Sequence, residues 1–335
     1  MSATIDDVAK KAAVSTATVS RALRGLPNVA EPTRAHVLKV AKELNYVIQS
    51  QSARALSGNK VVAIIRPLVD QWFYSKLSTS AELELRAAGY QVVHHAVDNS
   101  QEQSVLITDL LSHKSIDAII SISFPIEAET QKYLDLHRTP IITIEAKSGK
   151  LTRIYIDNKA AAELATRHLI NLGHKRIGLI LGSHHNTEQN SIPAARRAGY
   201  RLALAKAGLK QDPALEVSGN DVYRGGAQAM MQLLNSEKPP SAIFAITDEM
   251  AIGALKALRD MNLRAPEHIS IIGFDDNDVS EFIGLTTIRQ PLSGFAEQAT
   301  KLLIKKIASI SNKIEDVKLD YSLIIRKTTG PLNKL

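Results

Sequence analysis

Cysteine is absent from the 335 residues, and tryptophan occurs once, at Trp72. Without a thiol there is no disulfide scaffold, no thiolate zinc or iron–sulfur site and no cysteine nucleophile. No apolar run approaches the roughly 18 residues of a membrane span, so no membrane partner is expected. The opening Met1-Ser2-Ala3-Thr4-Ile5-Asp6-Asp7 has neither a basic stretch nor an apolar one. A secretory signal is therefore not expected, and the cytoplasm is the expected compartment. GxSxG, GxGxxG and HExxH patterns are missing, and Gly149-Lys150 lacks the upstream glycine of a phosphate loop. His94-His95 and His184-His185 are adjacent pairs whose side chains diverge, which does not suit a metal. His174, in a Gly-His-Lys-Arg turn, suits a structural hydrogen bond. The reading is no enzyme, no metal and no cofactor. What is present is ordinary for a globular chain: 44% hydrophobic and 22% charged residues. The length suggests two domains at about 150 residues each.

The net charge of +7 is uneven: residues 1–60 carry +5 and residues 61–335 only +2. Such asymmetry points to an anionic partner, although a solvated basic face is the plain alternative. The same segment reads as three short helices. Thr4 with Asp7 forms a capping box, and Ile5, Val8, Ala9 and Ala12 make one buried stripe. Ser15 caps a second helix with Val19, Ala22 and Leu23 on one side and Thr16, Ala17, Ser20 and Arg21 on the other. Gly25 and Pro27 stop it, and a third helix runs from about Pro32 through Val37, Val40, Ala41 and Leu44. A helix with short outer side chains can enter a major groove about 12 Å wide. Arg21 can reach a phosphate or a guanine edge. A three-helix bundle without DNA is the alternative on pattern alone.

The run Thr4-Ile5-Asp6-Asp7-Val8-Ala9-Lys10-Lys11-Ala12-Ala13-Val14-Ser15-Thr16-Ala17-Thr18-Val19-Ser20-Arg21-Ala22-Leu23 resembles the DNA-binding headpiece of the lactose/galactose repressor family. The resemblance implies that Thr16 and Ala17 choose the operator and that Arg21 reads or anchors beside them. It puts Asn28, Thr33 and Arg34 at backbone-contacting positions, and Thr4, Ser15, Thr18 and Ser20 complete the DNA-binding set. It also implies a hinge helix in Gln51-Ser52-Ala53-Arg54-Ala55-Leu56, matched at Ala53, Arg54 and Leu56, with Ala53 and Leu56 in the DNA-binding set and Leu56 as the minor-groove wedge. The sequence departs from the family at Ile48-Gln49 in place of Pro-Asn, at Ala30 in place of a hydroxyl cap, and by one extra residue between Tyr46 and Leu56. Asn28, or Glu31 with Pro32, is expected to serve the third helix in that hydroxyl's place.

Beyond residue 60, apolar runs alternate with helical patterns. Strands are expected at 61–66, 91–97, 118–123, 141–145, 176–181, 242–247, 269–274 and 322–326. Helices are expected at 76–88, 101–112, 127–137, 159–172, 195–207, 226–235, 249–261 and 294–309. Near-continuous Ile, Val and Leu fits parallel strands covered on both faces. That many units exceed one doubly wound sheet, so two lobes around a cleft are expected. Ile156-Asp157-Asn158, Leu169 to Ile177, Thr247 to Leu255, Ile269 to Asp276 and Leu285 to Pro291 extend the resemblance over nearly the whole chain.

The fold expected is an all-α helix-turn-helix headpiece plus an α/β two-lobed, periplasmic-binding-protein-like domain with parallel sheets. The headpiece is placed at 1–48, the hinge and linker at 49–60 and the effector and dimerisation domain at 61–335. Lobe 1 takes about 61–159 and 292–319; lobe 2 takes about 160–288 and 320–330.

Ligands in such folds sit at the carboxyl ends of the strands. Asp70, Trp72, Phe73, Ser123, Glu145, Thr247, Asp248 and Asp275 stand there, and Arg196 opens a nearby helix. Aromatic faces with carboxylates and a guanidinium suit a sugar. The resemblance supports Phe73, Glu145, Arg196, Thr247 and Asp275. Trp72 fits a core place or a cleft place equally. Asp276 is read as a cap, and Arg197 as solvated.

The expected function is a sequence-specific transcriptional regulator: a repressor released from a palindromic double-stranded operator by a small sugar-like effector. It acts as a homodimer because one recognition helix reads only a half-site. The C-terminus carries no leucine heptad tail, so a tetramer built through one is not expected. When bound, the chain sits at the nucleoid. The alternatives are a corepressor-dependent regulator or an activator, a sugar-transport binding protein and a sugar-modifying enzyme.

Overall fold

A computed structural model describes residues 4–23, 29–44, 60–113, 115–182, 191–220, 222–308 and 313–332. Its first unit is three helices: α1 (Ile5–Ala12), α2 (Thr16–Leu23) and α3 (Glu31–Glu43). The Thr4–Asp7 capping box is formed in both directions, and Ala13 closes α1 in the left-handed region at φ 54°. Ser15 Oγ accepts from Thr18 N–H at 3.1 Å and starts α2. Val8, Ala12, Val19, Ala22, Val37 and Val40 are buried together, as the stripes require. The third helix begins at Glu31, one residue earlier than expected. Its opening carbonyl is that of Ala30, which accepts from Arg34 N–H at 3.0 Å, and Glu31 pairs with Arg34. Asn28, Ala53, Leu56 and the hinge lie outside the described residues.

The first sheet contains β1 (Lys60–Pro67), β2 (Tyr90–Val97), β3 (Ala118–Ile122), β4 (Ile141–Ile144), β5 (Thr152–Tyr155) and β11 (Asp316–Lys318). All are parallel, in the order β11-β5-β4-β3-β1-β2. Lys60 therefore belongs to the first strand rather than to the linker. The second sheet contains β6 (Ile177–Leu181), β7 (Glu216–Ser218), β8 (Ala242–Ala245), β9 (Ser270–Asp275), β10 (Thr286–Arg289) and β12 (Ser322–Ile324). Its order is β12-β10-β9-β8-β6-β7, and only β12 runs antiparallel. The chain passes between the two sheets three times, after β5, after β10 and after β11. All eight expected strands are present. The four unexpected ones, β5, β7, β10 and β11, are only three or four residues long and lack continuous apolar runs.

Helices α4 (Trp72–Ala87), α5 (Ser100–Ser112), α6 (Ala128–His137) and α12 (Leu292–Ile307) belong to the first lobe. Those of the second are α7 (Asn158–Asn171), α8 (Ile192–Lys206), α9 (Tyr223–Leu234), α10 (Asp248–Asp260) and the short α11 (Asp278–Ile283). Asp157 caps α7 through Ala160 N–H, so Asn158 and Lys159 fall in the second lobe, not the first. In each sheet the order reverses beside the first strand, which opens a crevice beyond the carboxyl ends of β1 and β3 and of β6 and β8.

Glycine sets the closeness of α9 and α10. A Cβ on Gly253 would lie 1.9 Å from Tyr223 O, and one on Gly226 would lie 2.2 Å from Met250 O. Both obstacles are backbone and cannot rotate away. Gly253→Ala should therefore destabilise the second lobe by about 3 kcal/mol or more. Its urea midpoint should fall well below the parent's; an unchanged midpoint would refute the close approach.

Candidate DNA interface and ligand cleft

In the headpiece, Thr16, Ala17 and Arg21 are exposed on one side of α2, with Ser20 half-buried beside them. The opposite side of α2 is the buried one, where Val19 and Ala22 are fully enclosed. Thr4, Ser15 and Thr18 serve helix starts: Thr4 pairs with Asp7, and the Ser15 and Thr18 hydroxyls share a 2.8 Å bond. Thr33 and Arg34 are half-buried on α3. A short, uncharged leading edge with one exposed guanidinium is what a groove-reading helix needs.

The cleft is marked by backbone strain. Ser123, Glu145, Asp275 and Asp276 have φ values of 65°, 64°, 125° and 57°. All four are non-glycine residues at the carboxyl ends of β3, β4 and β9. Such strain gathers at ligand sites because surrounding structure must enforce it. From these positions a chain of polar contacts spans the lobes. Glu145 accepts from Ile156 N–H at 2.7 Å and from the Asn158 amide. Asn158 Oδ1 accepts from Arg196 Nε at 2.9 Å, and Arg196 Nη1 donates to Ile246 O at 2.6 Å. The same guanidinium lies 3.7 Å from Asp275 Oδ1 and 3.5 Å over the Phe274 ring. Gln290 Nε2 donates to Asp275 Oδ1 at 2.6 Å. Two buried acceptors here, Ser123 Oγ and Gln290 Oε1, have no partner among the described residues.

Burial pushes Glu145 up to about 7, against the pull of Ile156 N–H, Arg196 and Asn158. Burial likewise raises Asp275 well above the usual carboxylate range, with Arg196 opposing. A carboxyl raised to about 7, as Glu145 is, can donate when protonated as well as accept, and that suits hydroxyl groups better than a charged ligand.

Several sequence expectations change here. Asp248 is wholly buried and faces the second lobe, not the cleft. It accepts from Asn277 N–H at 2.9 Å and from the Ser280 and Thr287 hydroxyls at 2.6 Å each. Its oxygens are committed to tying α10, α11 and β10 together. Thr247 caps α10 through Met250 N–H. Phe73 is buried edge-on to Tyr74, and Trp72 is half-buried at the cleft mouth, where it also packs against the core, so it takes part of both expected places. Asp70 is exposed beside it. Asp276 pairs with Arg289 and Arg326, and Asn277 is the residue that caps α11. Arg197 is not solvated but pairs with Glu216 at 2.5 Å. His174 bonds the Ser241 and Ser270 hydroxyls, the structural place expected for it. Asn158, Gln290 and Phe274 were missed as site residues. Asn158 and Gln290 lie inside the recognised motifs but adjoin the lobe crossings, which the pattern alone does not locate.

Comparison with known proteins agrees with this architecture. Residues 4–49 match the family of bacterial regulatory proteins, lacI family, and residues 166–329 match the periplasmic binding protein-like domain. The chain is 34% identical to the HTH-type transcriptional repressor CytR of Escherichia coli (strain K12), over 98% of this chain and 97% of that protein. It belongs to the lacI family. Among solved structures, the CelR–cellobiose complex of a transcriptional regulator matches 97% of this chain and 99% of that one, with a TM-score of 0.69 and 28% identity. The lac repressor dimer bound to operator and the anti-inducer ONPF matches 98% of this chain and 100% of that one, with a TM-score of 0.70 and 26% identity. This lacI-family chain is accordingly a DNA-binding transcriptional regulator, and the relatives named here are regulators rather than enzymes. No described helix is long and apolar enough to cross a membrane.

Proposed function

We propose that this chain is a cytoplasmic, nucleoid-associated repressor that binds a two-fold-symmetric operator as a homodimer and is released by a small, uncharged, polyhydroxyl effector. The observation that carries the reading is the exposed Thr16, Ala17 and Arg21 edge of α2 on an internally capped headpiece. The cleft supplies the effector site, with Ser123, Glu145, Arg196, Asp275 and Gln290 around it and Trp72 at its mouth. No metal or cofactor takes part. Phe282, 88% exposed, with Val279 and Ile283 on the same short helix α11, offers one apolar surface for dimerisation. A second copy covers that apolar face and places two recognition helices about one helical turn apart on the duplex.

Arg21→Ala should lower specific operator affinity by about 1–3 kcal/mol and leave non-specific binding nearly unchanged. Titrating operator and scrambled duplex side by side measures it. Retained selectivity would remove α2 from the reading.

A further inference from the structure

At the cleft mouth, one lobe caps a helix of the other. Helix α4 begins at Trp72, and Gln71 before it makes no side-chain cap. Trp72 N–H instead donates to Glu249 Oε1 at 2.8 Å, from a residue 177 positions further along the chain on α10. Glu249 is almost wholly buried, so water does not screen the contact. Beside it the Trp72 indole Nε1 donates to Asp278 Oδ2 at 3.1 Å, and Lys76 Nζ lies 3.1 Å from the same oxygen. First-turn N–H groups have no partner within their own helix, and the helix dipole favours negative charge at that end. Both acidic groups come from the second lobe and all three donors from the first. Moving the lobes apart would strip the α4 terminus of this cap and leave a buried carboxylate short of a donor.

We propose that Glu249 and Asp278 form a latch on the N-terminus of α4 that holds the lobes together and sets the open–closed balance. Glu249 is then a positioning residue that touches no ligand. The further consequence, that the latch adjusts effector sensitivity, rests on the proposed function; the latch itself does not. Loss of one helix cap corresponds to roughly a fivefold change in an equilibrium, and an effector's response shifts with the balance it acts on.

Trp72 is the only tryptophan, so its fluorescence reports on the latch alone. In the full-length protein without DNA or ligand, Glu249→Ala should red-shift the emission and raise acrylamide quenching. That carboxylate bonds the backbone N–H of Trp72 while the indole bonds Asp278, so fluorescence reads the α4 terminus and hydrogen exchange in Asp278→Ala reads the coupling between the two contacts. Glu249→Gln, which keeps an acceptor oxygen, should stay close to the parent. Asp278→Ala should in turn speed hydrogen exchange at the Trp72 amide about fivefold, although it does not touch that amide. Asp278 is an exposed residue, so this variant carries the test even if Glu249→Ala fails to fold. Parent-like fluorescence in a folded Glu249→Ala protein, or parent-like exchange in Asp278→Ala, would overturn the latch. Neither measurement involves operator or effector, so failure here leaves the regulatory reading standing.

Discussion

Operator affinity of the dimer should fall by about 10³–10⁵ between roughly 50 and 200 mM salt if 6–10 phosphates are contacted. The expectation comes from where the charge sits. Residues 1–60 carry +5 of the net +7, and a two-fold dimer presents that twice to one duplex. The body, at +2 over 275 residues, has little to add. Each neutralised phosphate releases condensed counterions, so the logarithm of affinity should fall linearly with the logarithm of salt. Removing residues 1–60 should abolish the slope together with the binding. A flat response in the full chain would mean that the headpiece charge does not meet a nucleic acid.

Loss of Arg196 should be the most damaging single change in the cleft. Its guanidinium bonds Asn158 and the Ile246 carbonyl, lies over Phe274 and faces Asp275, all out of water. Breaking a buried pair by removing one partner costs about 3–5 kcal/mol. Burial raises Asp275 well above the usual carboxylate range and so weakens its pairing with Arg196, which puts the expected cost at the lower end, about 3 kcal/mol. Urea unfolding of Arg196→Ala checks that figure. Below its melting temperature the variant should bind operator like the parent and fail to respond to effector, because the headpiece core is built from its own residues. Arg196→Lys should not restore the response, since an ammonium cannot bond two acceptors in plane while lying over a ring. A full response in Arg196→Ala would move the effector site out of this cleft.

Much of this architecture is readable in the sequence, and the parts that are not have a physical reason. β1, β3 and β9 announce themselves because their middles are buried on both faces and carry unbroken runs of apolar or small residues. β7 and β11 do not: three residues each, two of them polar, hold their place through neighbours already formed. The headpiece is the most legible part, since its caps and stripes are all local. In the cleft, Glu145, Arg196 and Asp275 were reachable from strand ends and motif matches. Asp248 shows the limit of that reasoning. It also stands at a strand end, but Gly273 lacks a Cβ and thereby leaves room for its carboxylate to turn inward. A Cβ there would lie 2.2 Å from Asp248 Oδ1. Asn158 and Glu249 were invisible for another reason: each acts across the lobe boundary, Glu249 on Trp72 177 positions away and Asn158 on Glu145 at a lobe crossing that pattern does not locate.

The three passages between the lobes also govern when the protein can exist at all. The first sheet closes with 316–318 and the second with 322–324, so neither lobe owns a continuous stretch of chain. During synthesis the headpiece leaves the ribosome first and has every contact it needs. Both lobes must wait for residues 316–324. Competence to hear an effector therefore arrives in a single step once that short segment has emerged, and a chain stopped short of 316 keeps its recognition helix while losing an edge strand from each sheet.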